Sequence, residues 1–272
     1  MKTHQIIGGG GTQLYVEESG NPSGQPILFL HGFSQSRLAW RKQMQSDLAN
    51  DFRLISMDLR GHGNSDKPQD AYTDSRCWAD DVNATISTLR LERPVLSGWS
   101  YGGFIISDYL RHYGDAALGG IQFVGGVSMI GVPEANGFFG PDFVALMSGF
   151  FSTNVEESAT ALKTFMRLCV HAEPTPEDFY LNLGYNTIVP PYVRQNMLSR
   201  TFSSDDVLRQ IRVPMLITHG EADEIILVAA ARHHAKIVPH AKLSLYREIG
   251  HAPFLEDAPR FNAELRSFVA SL

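Results

Sequence analysis

Ser100 stands at the centre of Gly98-Trp99-Ser100-Tyr101-Gly102, directly after the apolar run Pro94-Val95-Leu96. A strand that ends and a helix that begins within two residues force the central residue into a strained backbone conformation. Flanking glycines then let neighbouring backbone pass close by. Such a turn holds the serine oxygen clear of the chain, with the first free N–H groups of the helix directed at any anion formed beside it. That placement suits a nucleophile, and the same five residues also suit an ordinary strand-to-helix turn. A serine hydroxyl attacks poorly until a base takes its proton and a third group orients the base. The rest of the chain must therefore supply an imidazole and a carboxylate.

Both are found downstream. Val213 to Gly220 reads as a buried strand breaking into the polar loop Glu221-Ala222-Asp223-Glu224, where Asp223 is the candidate orienting carboxylate and Glu221 or Glu224 are its alternatives. Leu243 to Tyr246 reads as another strand. It is followed by Glu248-Ile249-Gly250-His251-Ala252-Pro253-Phe254 and then by a helix with apolar Phe261, Leu265 and Phe268. His251 is the candidate base. His219, His233, His234 and His240 read as surface or structural residues. Nucleophile, acid and base each follow the C-terminal end of a strand, in the chain order Ser, Asp, His.

Four stretches carry a resemblance: His31-Gly32-Phe33 after Ile27-Leu28-Phe29-Leu30, the run Asp58-Leu59-Arg60-Gly61-His62-Gly63-Asn64-Ser65, the turn around Ser100, and the Asp223 and His251 loops. On these the chain resembles the α/β-hydrolases over nearly its full length. The resemblance implies an α/β fold: a mostly parallel eight-stranded sheet flanked by helices, with a helical cap inserted over the site. It also implies that Phe33 and Tyr101 donate backbone N–H groups to an oxyanion, that His31 packs within its own loop, and that Asp58 to Ser65 is a buttressing turn.

Relatives that open epoxides or remove halides share the Asp-Leu-Arg-Gly stretch but carry an aspartate where this chain has Ser100. A serine alkoxide suits attack on a carbonyl instead. The implied chemistry is hydrolysis of small to medium, mainly apolar carboxylic esters through an acyl-enzyme, with no cofactor and no metal. Alternatives on the same three residues are a cofactor-free perhydrolase or haloperoxidase-like enzyme, a lactonase, and a hydrolase of carbon–carbon bonds beside a ketone. A ligand-binding receptor that keeps the fold is the reading from another class, and the intact Ser, Asp and His argue against it.

Short Val/Ile/Leu-rich runs alternate with longer amphipathic stretches, the pattern of a parallel sheet covered on both faces. Strands near residues 5–7 and 13–17 predict an antiparallel hairpin around Gly8 to Gly11. Beyond it, a strand at 27–30 precedes a helix around 40–48; a strand at 53–57 precedes the Asp58 turn; Asp74 to Leu91 predicts a helix; and Ile121 to Met129 predicts a strand. From about residue 132 to 210 no buried strand is legible. That segment carries Phe138, Phe139, Phe143, Met147, Phe150, Phe151, Phe165, Phe179, Tyr180, Tyr185 and Met197. The expected division is a core of residues 1–131 and 211–272 with a helical cap at 132–210, whose aromatics mostly bind cap helices together and partly line a pocket. Pro190-Pro191 predicts a break between cap helices.

With 272 residues and 43% apolar content the chain can bury a large core. Its net charge of -6 and scattered basic residues argue against nucleic acid as a partner. Cys77 and Cys169 are far apart and lack metal-ligand spacing, which predicts reduced core thiols. The first residues lack an apolar signal core, and no run approaches the roughly 20 apolar residues of a membrane span. The expected setting is the cytoplasm and the expected partner a small-molecule acyl substrate.

Overall fold

The computed structural model describes residues 1–272. The chain opens with an antiparallel pair, β1 (Lys2–Ile7) and β2 (Gln13–Gly20). β2 buries every second residue, as a strand with one wet face must. Next come β3 (Pro26–Leu30), β4 (Arg53–Met57), β5 (Val95–Trp99) and β6 (Gly120–Val124). A short ribbon pairs β7 (Met129–Ile130) with β8 (Phe202–Ser203), and β9 (Met215–Gly220) and β10 (Lys242–Tyr246) complete the sheet. Its order is β1-β2-β4-β3-β5-β6-β9-β10. β2 meets β4 antiparallel, and from β4 to β10 every pairing is parallel.

Burial on both faces explains why β3, β5, β6 and β9 are apolar without alternation. Alternate residues divide between two cores, as the two-residue period of a strand requires. Leu28, Leu30, Leu96 and Phe123 face helices Ser75–Thr88 and Gly102–Tyr113, with Trp78, Val82, Phe104 and Ile105. Ile27, Phe29, Val95 and Val124 face Trp40, Met44, Phe254 and Phe261. In register, Leu30 lies opposite Gly98 and Trp99 opposite Val124. The central strands therefore end level, and the loops after β3, β5, β6, β9 and β10 leave from one edge.

Two predicted elements come out differently. The helix expected around 40–48 is a 3-10 turn, Arg37–Trp40, and two single turns, Arg41–Met44 and Leu48–Asp51. Between them the Ser46 hydroxyl donates to Gln43 O and accepts from Leu48 N, offering the backbone partners that compete with a continuous helix. The strand expected over 121–129 stops at Val124, because Gly125 turns to φ 49°.

Between β7 and β8 the chain forms a 3-10 turn and the helices Pro141–Ala145, Met147–Phe151, Val155–Leu168, Pro176–Thr187 and Pro191–Leu198. Pro190-Pro191 stands at the start of the last one, where a missing N–H costs nothing. Asn154 caps Val155–Leu168 by accepting from Glu156 N and Glu157 N. Buried Arg194 ties this segment to the β3 loop: Nε donates to Ser34 Oγ at 3.0 Å, and Nη2 to Asn186 O at 2.8 Å.

Candidate active site

Ser100 follows β5 directly and has φ 55°, a left-handed conformation that a non-glycine residue holds only at a cost of about 1–3 kcal/mol. Two glycines make the turn possible. A methyl on Gly98 would lie 2.6 Å from Gly102 O, and one on Gly102 would lie 2.6 Å from Leu30 O. The Ser100 amide donates to Val124 O at 2.9 Å, and Ser100 O accepts from Gly103 N. The serine is thus pinned at the sheet edge, 7% exposed.

The β3 loop passes beside it. A methyl on Gly32 would stand 3.5 Å from Ser100 Oγ. His31 organises this loop: Leu59 N donates to its Nε2 at 3.0 Å, which leaves the proton on Nδ1 to donate to Gly32 O at 2.9 Å. Burial pushes the His31 imidazole down to about 3, so it stays neutral. The backbone amides of Phe33 and Tyr101 make no hydrogen bond within the protein. Unpaired amides this well covered are rare, and both belong to buried residues flanking Ser100.

The Asp58 to Ser65 turn supports the same loop from behind. The Asp58 carboxylate accepts from Arg37 N and Nη1 at 2.8 Å and from Asn64 N at 2.9 Å. Ser65 Oγ donates to Asp58 O and accepts from Tyr15 N.

Asp223 lies in the turn after β9 and His251 in the loop after β10. Imidazole Nδ1 and carboxylate Oδ2 are 2.7 Å apart, with both side chains buried. Asp223 Oδ1 accepts from Ile225 N and Ile226 N at 2.8 and 2.9 Å. Burial works to raise the Asp223 carboxyl, but His251 and His219 beside it hold it well below the usual carboxylate range. Glu221 is exposed and Glu224 is also exposed, so neither alternative acid competes. The Trp99 indole N–H donates to His251 O at 2.8 Å, tying the His251 loop to the residue before Ser100. His251 Nδ1 also lies 3.0 Å from where a methyl on Gly125 would be, one residue beyond the Val124 carbonyl that holds Ser100. No hydrogen bond joins Ser100 Oγ to the His251 imidazole.

Some residues fall elsewhere than their sequence suggests. Of the histidines read as surface or structural residues, His219 and His234 are buried. His219 Nε2 stands 2.7 Å from Ile226 O and 3.2 Å from Asp223 Oδ2. Cys169 is a buried thiol, pushed up by that burial, whereas Cys77 is only half-buried on helix Ser75–Thr88. Glu256 carries no motif, yet its carboxylate accepts from Gly250 N at 2.9 Å and His171 N at 2.7 Å, joining the His251 loop to the segment after Val155–Leu168.

Beside Ser100 a cavity of ≈ 20 Å³ is lined almost entirely by apolar side chains, among them Phe33, Phe143, Phe165, Leu198 and Ile225. Phe33 packs edge-on to Phe150 at 5.3 Å, and Phe143 and Phe165 join the same cluster. Of the aromatics expected to divide between packing and pocket, Phe139, Phe143 and Phe165 reach the cavity, while Tyr180 is exposed. No three His, Cys, Asp or Glu side chains stand close enough to hold a metal ion, and no helix is long and apolar enough to cross a membrane.

Comparison with known proteins agrees with this architecture. An esterase from Rhodococcus sp. ECU1013 superposes with a TM-score of 0.96 at 35% identity, each chain covered over 100% of its length. A non-heme haloperoxidase from Rhodococcus erythropolis is 28% identical over 96% of this chain and 97% of its own. A bifunctional esterase/perhydrolase from Acinetobacter calcoaceticus is 26% identical over 96% and 97%. The family model for the alpha/beta hydrolase fold matches residues 25–258. With that match over most of its length, the chain belongs to the α/β-hydrolase family.

Proposed function

We propose that this protein is a serine hydrolase that cleaves small, mainly apolar carboxylic esters. The observation that carries the reading is the buried His251–Asp223 pair, which shares a sheet edge with a serine held at φ 55° between two unpaired amides. His251 takes the Ser100 proton as Oγ attacks the carbonyl carbon. The Phe33 and Tyr101 amides receive the oxyanion, an arrangement in which each donor contributes about 3 kcal/mol to transition-state stabilisation. The proton then passes from His251 to the leaving alcohol, and His251 next activates the water that frees the acid. Asp223, acceptor-only when ionised, keeps the Nδ1–H tautomer and offsets the imidazolium charge. The helices between residues 132 and 210 act as the cap, and the aromatic cavity beneath them sets an upper size for the acyl group.

Similarity to the esterase and to the esterase/perhydrolase supports acyl transfer, and the haloperoxidase likeness favours peroxide as a second acyl acceptor, releasing a peracid in place of the acid. The test is turnover of p-nitrophenyl esters of increasing chain length, with and without hydrogen peroxide, beside mass spectrometry of the acylated peptide. A mass increment on the peptide carrying Ser100, lost in Ser100→Ala together with turnover, is expected. Undiminished turnover by a folded Ser100→Ala protein refutes the assignment.

A further inference from the structure

His219 is the last residue but one of β9, four positions before Asp223, and is 1% exposed. Its Nε2 meets two acceptors: the Ile226 carbonyl at 2.7 Å and Asp223 Oδ2 at 3.2 Å. A backbone carbonyl only accepts, so the proton of His219 is on Nε2. Its Nδ1 is buried with no partner.

The contacts close a ring. Ile226 N donates to Asp223 Oδ1, Ile226 O accepts from His219, and the same His219 N–H faces Oδ2. The Oδ2 atom that orients the base is thereby shared between two imidazoles.

We propose that His219 is a positioning residue, which acts through Asp223 by fixing the plane of the carboxylate and taking part of the charge on Oδ2 that would otherwise face His251 alone. This rests on the triad reading given above. The other titratable groups around the pair are His251, His234 of helix Val228–Ile237, Cys169 at the end of helix Val155–Leu168, and Glu256 of helix Pro253–Glu256. His234, Cys169 and Glu256 supply no donor to Oδ2, whose near partners are the His219 and His251 imidazoles.

Removing the His219 N–H leaves Oδ2 more negative toward His251, which favours the imidazolium. The acid limb of kcat/KM then moves to higher pH, because the base is lost to protonation sooner. In His219→Leu that shift is expected at about half a pH unit or more. His219→Gln carries an N–H to a similar reach and should restore the wild-type limb. A residue that only packed would lower kcat at every pH and leave the limb in place.

The experiment is the pH profile of kcat/KM for p-nitrophenyl acetate with wild type, His219→Leu and His219→Gln, and with Ser100→Ala alongside. An upward shift in Leu with recovery in Gln supports the proposal. An unmoved or lowered limb in Leu, or a Gln profile matching Leu, overturns it. Should the Leu protein not fold, nitrogen-15 NMR of wild-type imidazoles decides: a His219 proton on Nε2 throughout the pH range of the activity profile supports it, and a proton on Nδ1 overturns it. An active Ser100→Ala protein would instead sink the triad reading itself. An inactive one with a flat His219 response sinks only this inference.

Discussion

Mild acid should destabilise this protein, and the reason lies in buried histidines outside the proposed triad. His31 and His234 are both held down to about 3 from an ordinary 6.5, by burial first of all. His62 is shifted the same way for the same leading reason. Each is neutral in the fold and protonated below about pH 6.5 in the unfolded chain. The sign follows: the unfolded state binds the extra protons, so stability is intact above pH 6.5 and falls as pH drops toward 3. Between pH 7 and pH 5, each of His31 and His234 costs about 2 kcal/mol.

One group opposes them. Burial pushes the Asp108 carboxyl up to about 6 even beside Arg200, so the folded state takes a proton there and regains about 1 kcal/mol over the same interval. The net loss is on the order of 3 kcal/mol from these three groups, and His62 adds to it. Against a stability of about 5–15 kcal/mol that is a large fraction. Urea unfolding at pH 7, 6 and 5 should show the midpoint falling steeply. His234→Gln, which can still bond Ser128 Oγ as His234 Nε2 does at 2.8 Å, should flatten the slope by about 1.4 kcal/mol per pH unit. A loss under about 1 kcal/mol across the range, or a slope untouched in that variant, refutes the reasoning. Brief activity assays at each pH, followed by return to pH 7, separate this unfolding from reversible loss of activity.

Other substitutions test the remaining parts. Ser100→Gly removes both the hydroxyl and the cost of φ 55°, so it should abolish turnover while raising stability by about 1 kcal/mol, seen as a higher urea midpoint. Arg60 and Asp81 form a fully buried pair with two 2.7 Å bonds. Arg60→Met alone should cost about 3–5 kcal/mol by stranding the carboxylate, and adding Asp81→Leu should return most of it in the same urea titration. Phe143→Ala widens the cavity at Ser100 and should raise the ratio of p-nitrophenyl hexanoate to acetate turnover several-fold. An unchanged ratio would show that the acyl group sits elsewhere.

How far each feature could be read from the chain depends on how local its cause is. The elbow was legible because its strain is written in five residues: Gly98 and Gly102 are required by contacts of 2.6 Å, and the serine between them is the one residue forced to positive φ. The central strands were legible because burial on both faces leaves unbroken apolar runs. Asp223 and His251 were legible as loop residues after strands, and only the parallel order of β9 and β10 sets their loops side by side. His31 shows the boundary well, since its place in the loop could be expected while its bond from Leu59 N, 28 positions away, could not.

What stayed hidden is long-range and polar. Glu256, which also holds Gly250, reaches His171 across 85 positions, and Arg194 reaches Ser34 across 160. Neither contact leaves a period or a spacing, since each is fixed by where the cap helices settle on the sheet edge. Arg194 is buried with no carboxylate partner and sits at 3.0 Å from the hydroxyl of Ser34, next to the Phe33 amide proposed to hold the oxyanion. Burial lowers that guanidinium to about 10, so it is still charged at neutral pH, and its bonds to Ser34, Phe150 O and Asn186 O lock the cap to the β3 loop. On the proposed mechanism, in which the Phe33 amide holds the oxyanion, residues 132–210 fastened by Arg194 to Ser34 would couple substrate size to transition-state stabilisation through that side chain.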